Sequence, residues 1–165
     1  MHSGTHGEPK GKRSDARAMY VRLAAMIVLS FIWMYVAMYA MVNVVADVYP
    51  NVNNAYMAAL MAGPMVLFEL AVMREMYRSR PWNIGAAVLA VAIVAGSFLS
   101  IRAQTGVGDG EFLRSMIPHH SAAILMCREA SVEDPEIKEL CANIVASQQR
   151  EIDQMRTILD RQARR

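Results

Sequence analysis

Three apolar runs, Leu23 to Val45, Ala55 to Met73 and Ile84 to Ile101, leave this chain few folds to choose from. Each has about the length that a helix rising ~1.5 Å per residue needs to cross a ~30 Å hydrocarbon layer. Inside such a layer every backbone N–H and C=O must be satisfied within the chain, so helices are expected. A cleavable signal peptide is the rival reading of the first run, because basic residues precede it and Val44-Val45-Ala46 could be cleaved. The run is too long for a signal core, and two more apolar runs follow it. The expectation is an all-α chain with a disordered basic tail over 1–17 and a three-span membrane domain over 18–102. A glycine-rich linker then leads to an exterior helical domain over 109–165.

The Lys and Arg distribution orients the spans. Lys10, Lys12, Arg13, Arg17 and Arg22 flank the first run, and Arg74, Arg78 and Arg80 lie between the second and third. The connector over 47–54 has no Lys or Arg. Positive residues remain cytoplasmic, so the N-terminus and the 74–81 loop are expected inside and residues 103–165 outside. Gly85 and Gly96 are expected to let the third span approach its neighbours closely. Glu69, within the second run near Arg74, reads as a snorkelling or paired carboxylate, though an ionisable group in a span is also a functional candidate.

The exterior segment reads as an antiparallel helical hairpin. Asp109 is expected to cap a first helix from about Gly110 to Ser131, with a local kink at Pro118. Asp134-Pro135-Glu136 restarts the chain with an N-cap, a proline in the first turn and an acid near the positive end of the helix dipole. Ile137, Leu140, Cys141, Ile144, Gln148, Ile152, Met155 and Leu159 then follow helical spacing. Two helices of this size do not enclose a core alone, so a homodimer forming a four-helix bundle is expected, or docking onto the spans.

The chemistry gathers in Met116-Ile117-Pro118-His119-His120-Ser121-Ala122-Ala123-Ile124-Leu125-Met126-Cys127. Thioether, thiolate and imidazole together suit soft monovalent ions, Cu(I) or Ag(I). The competing reading is an ordinary helix with Met and Ala as core and histidines at its rim. His2 and His6 read as solvated side chains. Cys127 and Cys141 fall on opposite helices about a turn out of register, leaving a disulfide, a Cu(I) thiolate and free thiols all open. Met34, Met38 and Met41, with Met57, Met61 and Met65, form two stripes that read mainly as packing filler and alternatively as a path for Cu(I).

MIPHHSAAILMCREA followed by DPEIKELCANIVASQQREIDQM resembles the bacterial domain-of-unknown-function family numbered 305, over about residues 109 to 160. The resemblance implies a ferritin-like half-bundle. Members of the CopM type imply periplasmic copper or silver binding and a role in metal tolerance. It places Met116, His119, His120 and Met126 at the metal positions, Met155 at the closing methionine, and Gln148 and Glu151 before it. Cys127 lies outside the pattern but joins the candidate ligands by position.

Enzyme readings have little to stand on. Neither histidine has a Glu three residues before it, as a di-iron bundle needs. There is no Ser/His/Asp arrangement, phosphate-binding loop or His-Glu-x-x-His motif. A net charge of +2, with few aromatics, gives no nucleic-acid face. The expected protein is therefore a multi-pass bacterial inner-membrane protein that sequesters or hands over Cu(I) or Ag(I), without turnover. Its expected partners are the lipid bilayer, a second copy and a copper-handling protein. A metal-free structural or partner-binding module, and metal permeation along the methionine stripes, are the alternatives.

Overall fold

A computed structural model describes residues 10–164, so His2, His6 and the first nine residues of the basic tail lie outside the described residues. Those described are helical, without strands: α1 Lys10–Ala37, α2 Val52–Val72, α3 Arg80–Ala103, α4 Asp109–Glu129 and α5 Pro135–Ala163. Short 3-10 turns at Met38–Met41 and Val45–Asp47 join α1 to α2. Three stretches, Arg17–Met41, Val52–Val72 and Arg80–Ala103, are long and apolar enough to cross a membrane. The helix begins at Lys10, inside the stretch expected to be disordered. Extending an existing helix avoids the nucleation cost that an isolated tail would face.

The chain divides into two compact units. The first comprises residues up to Met34 together with Ala58–Phe98. Its buried residues are mostly small: Ala58, Ala62, Gly63, Ala90 and Ser97. At Gly63 an added Cβ would collide with Val94 Cγ2 and sit 3.4 Å from the Ala90 carbonyl. Gly63 is thus where α2 and α3 meet backbone to side chain. Gly85 and Gly96, expected to serve that purpose, have open space around them. Pro64 follows Gly63 inside α2 and withholds a donor there. Glu69 accepts a hydrogen bond from the Tyr77 hydroxyl at 3.2 Å rather than pairing with Arg74. Burial first, and then the Glu69 carboxylate, push the Tyr77 hydroxyl above its usual range. Tyr20 donates to Asn83 Oδ1 at 2.7 Å and stacks on Trp82.

The second unit joins Tyr35–Met57 to Leu99–Arg165. The segment between α1 and α2 therefore packs on the helices that follow α3. Asn51 caps α2 by accepting from the Asn54 N–H at 2.9 Å, while Glu111 Oε2 accepts from the Val52 N–H at 3.1 Å. A carboxylate against the first residue of a helix offsets orphan donors and the positive end of the dipole. The Tyr56 hydroxyl donates to the Thr105 carbonyl at 2.9 Å. Asn51 itself is buried, taking the Tyr35 hydroxyl at its backbone N–H and the Tyr49 carbonyl at its amide.

Gly108, extended, precedes α4, and Asp109 is the first helical residue instead of the expected cap. Asp109 and Glu111 place their charge in the first turn, where the dipole favours it. The start of α5 follows expectation. Asp134 Oδ1 accepts from the N–H groups of Glu136 and Ile137 at 2.8 and 3.2 Å, with Pro135 behind it. Leu113, Ile117, Ile124, Ile152 and Met155 form the core between α4 and α5, flanked by Tyr49, Val145, Ile158 and Leu159.

Candidate functional site

α4 and α5 hold every residue of the candidate constellation, but they distribute it over three surroundings. Contacts pair the start of α4 with the end of α5: Gly110 lies beside Gln162, and His120 beside Glu151. That register buries one face of α4, on which Leu113, Ile117, Ser121 and Ile124 recur at helical spacing.

His120 is buried and both ring nitrogens are engaged. Nδ1 lies 2.9 Å from the Met116 carbonyl and Nε2 lies 2.7 Å from Glu151 Oε2. A carbonyl only accepts, so Nδ1 is the nitrogen that donates to Met116, while Nε2 faces the Glu151 carboxylate. His120 thus ties α4 to α5 in this arrangement. Met155, the expected closing methionine, is buried in the apolar core. Met116 is half-buried and packs against the same core.

His119 and Met126 lie on the outer side of α4, and Met126 is 53% exposed. Met116, His119, Ala123 and Met126 continue one stripe, with Phe112, 50% exposed, a turn before it. The rise from His119 to Met126 is about 10 Å. One ion cannot be held by both from a single helix, whereas Met116 and His119, one turn apart, are neighbours. Among the described residues no three of His, Cys, Asp or Glu gather as a metal cluster. The six expected ligands, Met116, His119, His120, Met126, Cys127 and Met155, thus lie in different surroundings: an outer stripe of α4, the packed α4–α5 core and the cleft shared with Cys141.

Cys127 on α4 and Cys141 on α5 line the same cleft, and both thiols are free. The neighbouring Cys141 thiol, and then burial, push the Cys127 thiol above its usual range. The register set by Gly110 beside Gln162 and His120 beside Glu151 keeps the two cysteines about one turn out of step, as expected.

A polar cluster that sequence reading missed lies beside His120. Asp47, 3% exposed, accepts from Ser121 Oγ at 2.6 Å and from Arg156 Nη2. Ser121 Oγ in turn accepts from the Asn43 N–H at 2.9 Å. Four side- and main-chain groups thus fasten the α1–α2 connector to α4 and α5. The available signal was a lone acid in a connector with no basic residue of its own, which needs a cation from elsewhere if buried. Neither residue number nor spacing identifies Arg156 as that cation.

The methionine stripes are less regular than helical counting suggests. α1 ends at Ala37, so Met38 and Met41 belong to a 3-10 turn and leave the line of Met34. Met57 and Met61 are about 40% exposed.

A family model described as a domain of unknown function, DUF305, matches residues 99–159. An uncharacterized protein of Acanthamoeba polyphaga mimivirus is 33% identical over 138 residues, covering 82% of this chain and 89% of the relative. Coverage that wide takes in much of α1 to α3 as well as α4 and α5. No solved structure matches the chain. By these two matches the chain belongs to the DUF305 family, domains of unknown function.

Proposed function

We propose that this is a multi-pass membrane protein whose last two helices form a hairpin outside the cytoplasm and bind Cu(I) or Ag(I). The hairpin would sequester the ion or hand it to another copper-handling protein, without chemical turnover. The observation that carries this reading is the outer stripe of α4: exposed His119 one turn from Met116, with exposed Met126 two turns beyond. Imidazole and thioether side by side favour a soft monovalent ion over Zn(II) or Ca(II). Met116 and His119 supply two ligands, and a second copy facing the stripe supplies the rest. Phe112, Met126, Ile137 and Leu140 are large apolar side chains left exposed on these helices, which favours that pairing.

The membrane reading rests on the three apolar helices and on charge. Basic residues flank α1 at its start and the α2–α3 loop, so the positive-inside rule puts both in the cytoplasm. A chain with three crossings must then have its α1–α2 connector and its α4–α5 segment on one side, and their mutual hydrogen bonds agree with that.

The exposed apolar residues equally favour a metal-free hairpin that serves only to pair with a partner. Titrating the detergent-solubilised protein with Cu(I) against a competing chelator separates the two. Metal binding predicts a chelator-competitive site that the double substitution Met116→Ala/His119→Ala weakens by at least tenfold. Unchanged affinity in that variant, or no binding at all, would remove the metal reading and leave the pairing one.

A further inference from the structure

Cys127 and Cys141, from α4 and α5, both line an open cleft of ≈ 430 Å³ near the connected end of the two helices. Ala130, Val132 and Ala142 line it with small apolar groups, and Lys138 supplies a cation. Both cysteines are partly exposed and neither is in a disulfide. None of the ligands of the α4 stripe lines this cleft, and no carboxylate or imidazole does.

We infer that Cys127 and Cys141 form a second, two-coordinate thiolate site for one Cu(I) or Ag(I) ion, separate from the Met116–His119 pair. Two sulfurs brought together from two helices match the low coordination number that monovalent d10 ions accept. Hard cations are disfavoured by the same lining, since it offers them no oxygen ligand. On binding, each thiol loses its proton to solvent and each sulfur donates a lone pair to the ion. No electron is transferred. The product, an ion held by two thiolates, carries one negative charge, and Lys138 at the cleft wall offsets it. The site shares only the class of metal with the reading above; its ligands, and therefore its failure, are independent.

The test uses the full chain in detergent, reduced and kept anaerobic, loaded with Cu(I) and freed of weakly held metal by chelator. Wild-type protein is expected to show thiolate-to-copper charge-transfer absorption in the ultraviolet and an all-sulfur shell at this ion by X-ray absorption. Cys127→Ser/Cys141→Ser should lose that absorption and one equivalent of metal, with helicity by circular dichroism unchanged. Met116→Ala/His119→Ala should keep the thiolate absorption, whatever becomes of its other metal. Equal copper retention by wild type and the double serine variant would overturn the inference. So would a thiol count showing the two cysteines joined as a disulfide that resists reduction in the folded protein.

Discussion

The apolar helices and the α4–α5 pair bury opposite kinds of residue. In the first unit the buried positions are chiefly Ala58, Ala62, Gly63, Ala90 and Ser97, while Leu29, Trp33, Phe68 and Val88 lie on the outside. In the second, Ile117, Ile124 and Ile152 are fully buried, and Glu, Lys, Arg and Gln cover the outer face of α5. This inversion is what the proposed membrane reading expects, with lipid around one unit and water around the other. Water rewards removing large apolar groups from contact with it, so they collect inside. Between helices in lipid there is no such reward, and close backbone approach at small residues supplies the attraction. The two halves also anchor themselves differently. Small-residue contact dominates the interior of one; the other adds buried polar ties, Asp47 with Ser121 and Arg156, and His120 with Glu151.

The sharpest way to break the comparison is at Asp47. Asp47→Ala leaves buried Ser121 and the partly exposed Arg156 without their acceptor. A loss of about 3 kcal/mol is expected, as for removing one partner of a buried pair. Hydrogen exchange should report it as faster exchange of the 43–51 amides, with α2 and α3 little changed. Equal loosening of both units would mean that they are not separate in their energetics.

Gly63→Val is the matching test in the apolar helices. The added side chain meets Val94, and overpacking of this kind costs about 1–3 kcal/mol. Gly85→Val and Gly96→Val, where space is open, should melt like the wild type. If all three behave alike, the small-residue contact does not hold this unit together. The smallest effect belongs to the α5 cap. Asp134→Ala removes two accepted hydrogen bonds and should cost about 1 kcal/mol, seen as a modest fall in the unfolding midpoint of α4–α5.

Much of this difference is legible in the residues themselves. Each long apolar run became a helix. The expected boundaries were least accurate where the chain leaves the spans: α1 ends at Ala37, not near Val45, and the 3-10 turns take over. Local chemistry was read well wherever partners are close in sequence, as at Asp134-Pro135-Glu136. It was read poorly at Asp109, because an Asp suited to capping is equally suited to the first turn of a helix. In the candidate site, the stripe from Met116 to Met126 follows from 3.6-residue periodicity. Which of the adjacent histidines faces inward does not, since a one-residue shift turns the helix by about 100°.

The sequence by itself determined three helices long and apolar enough to span a bilayer and an amphipathic pair after them, because hydrophobic periodicity and length act locally. Only the tertiary structure decided that His120 ties to Glu151, that Cys127 meets Cys141, and that Asp47 is held by Ser121 and Arg156. Those partners stand between 14 and 109 residues apart in the chain. Their meeting depends on the register in which α4 and α5 pack, and that register is chosen by the fit of the whole core, with Ile117, Ile124 and Ile152 at its centre.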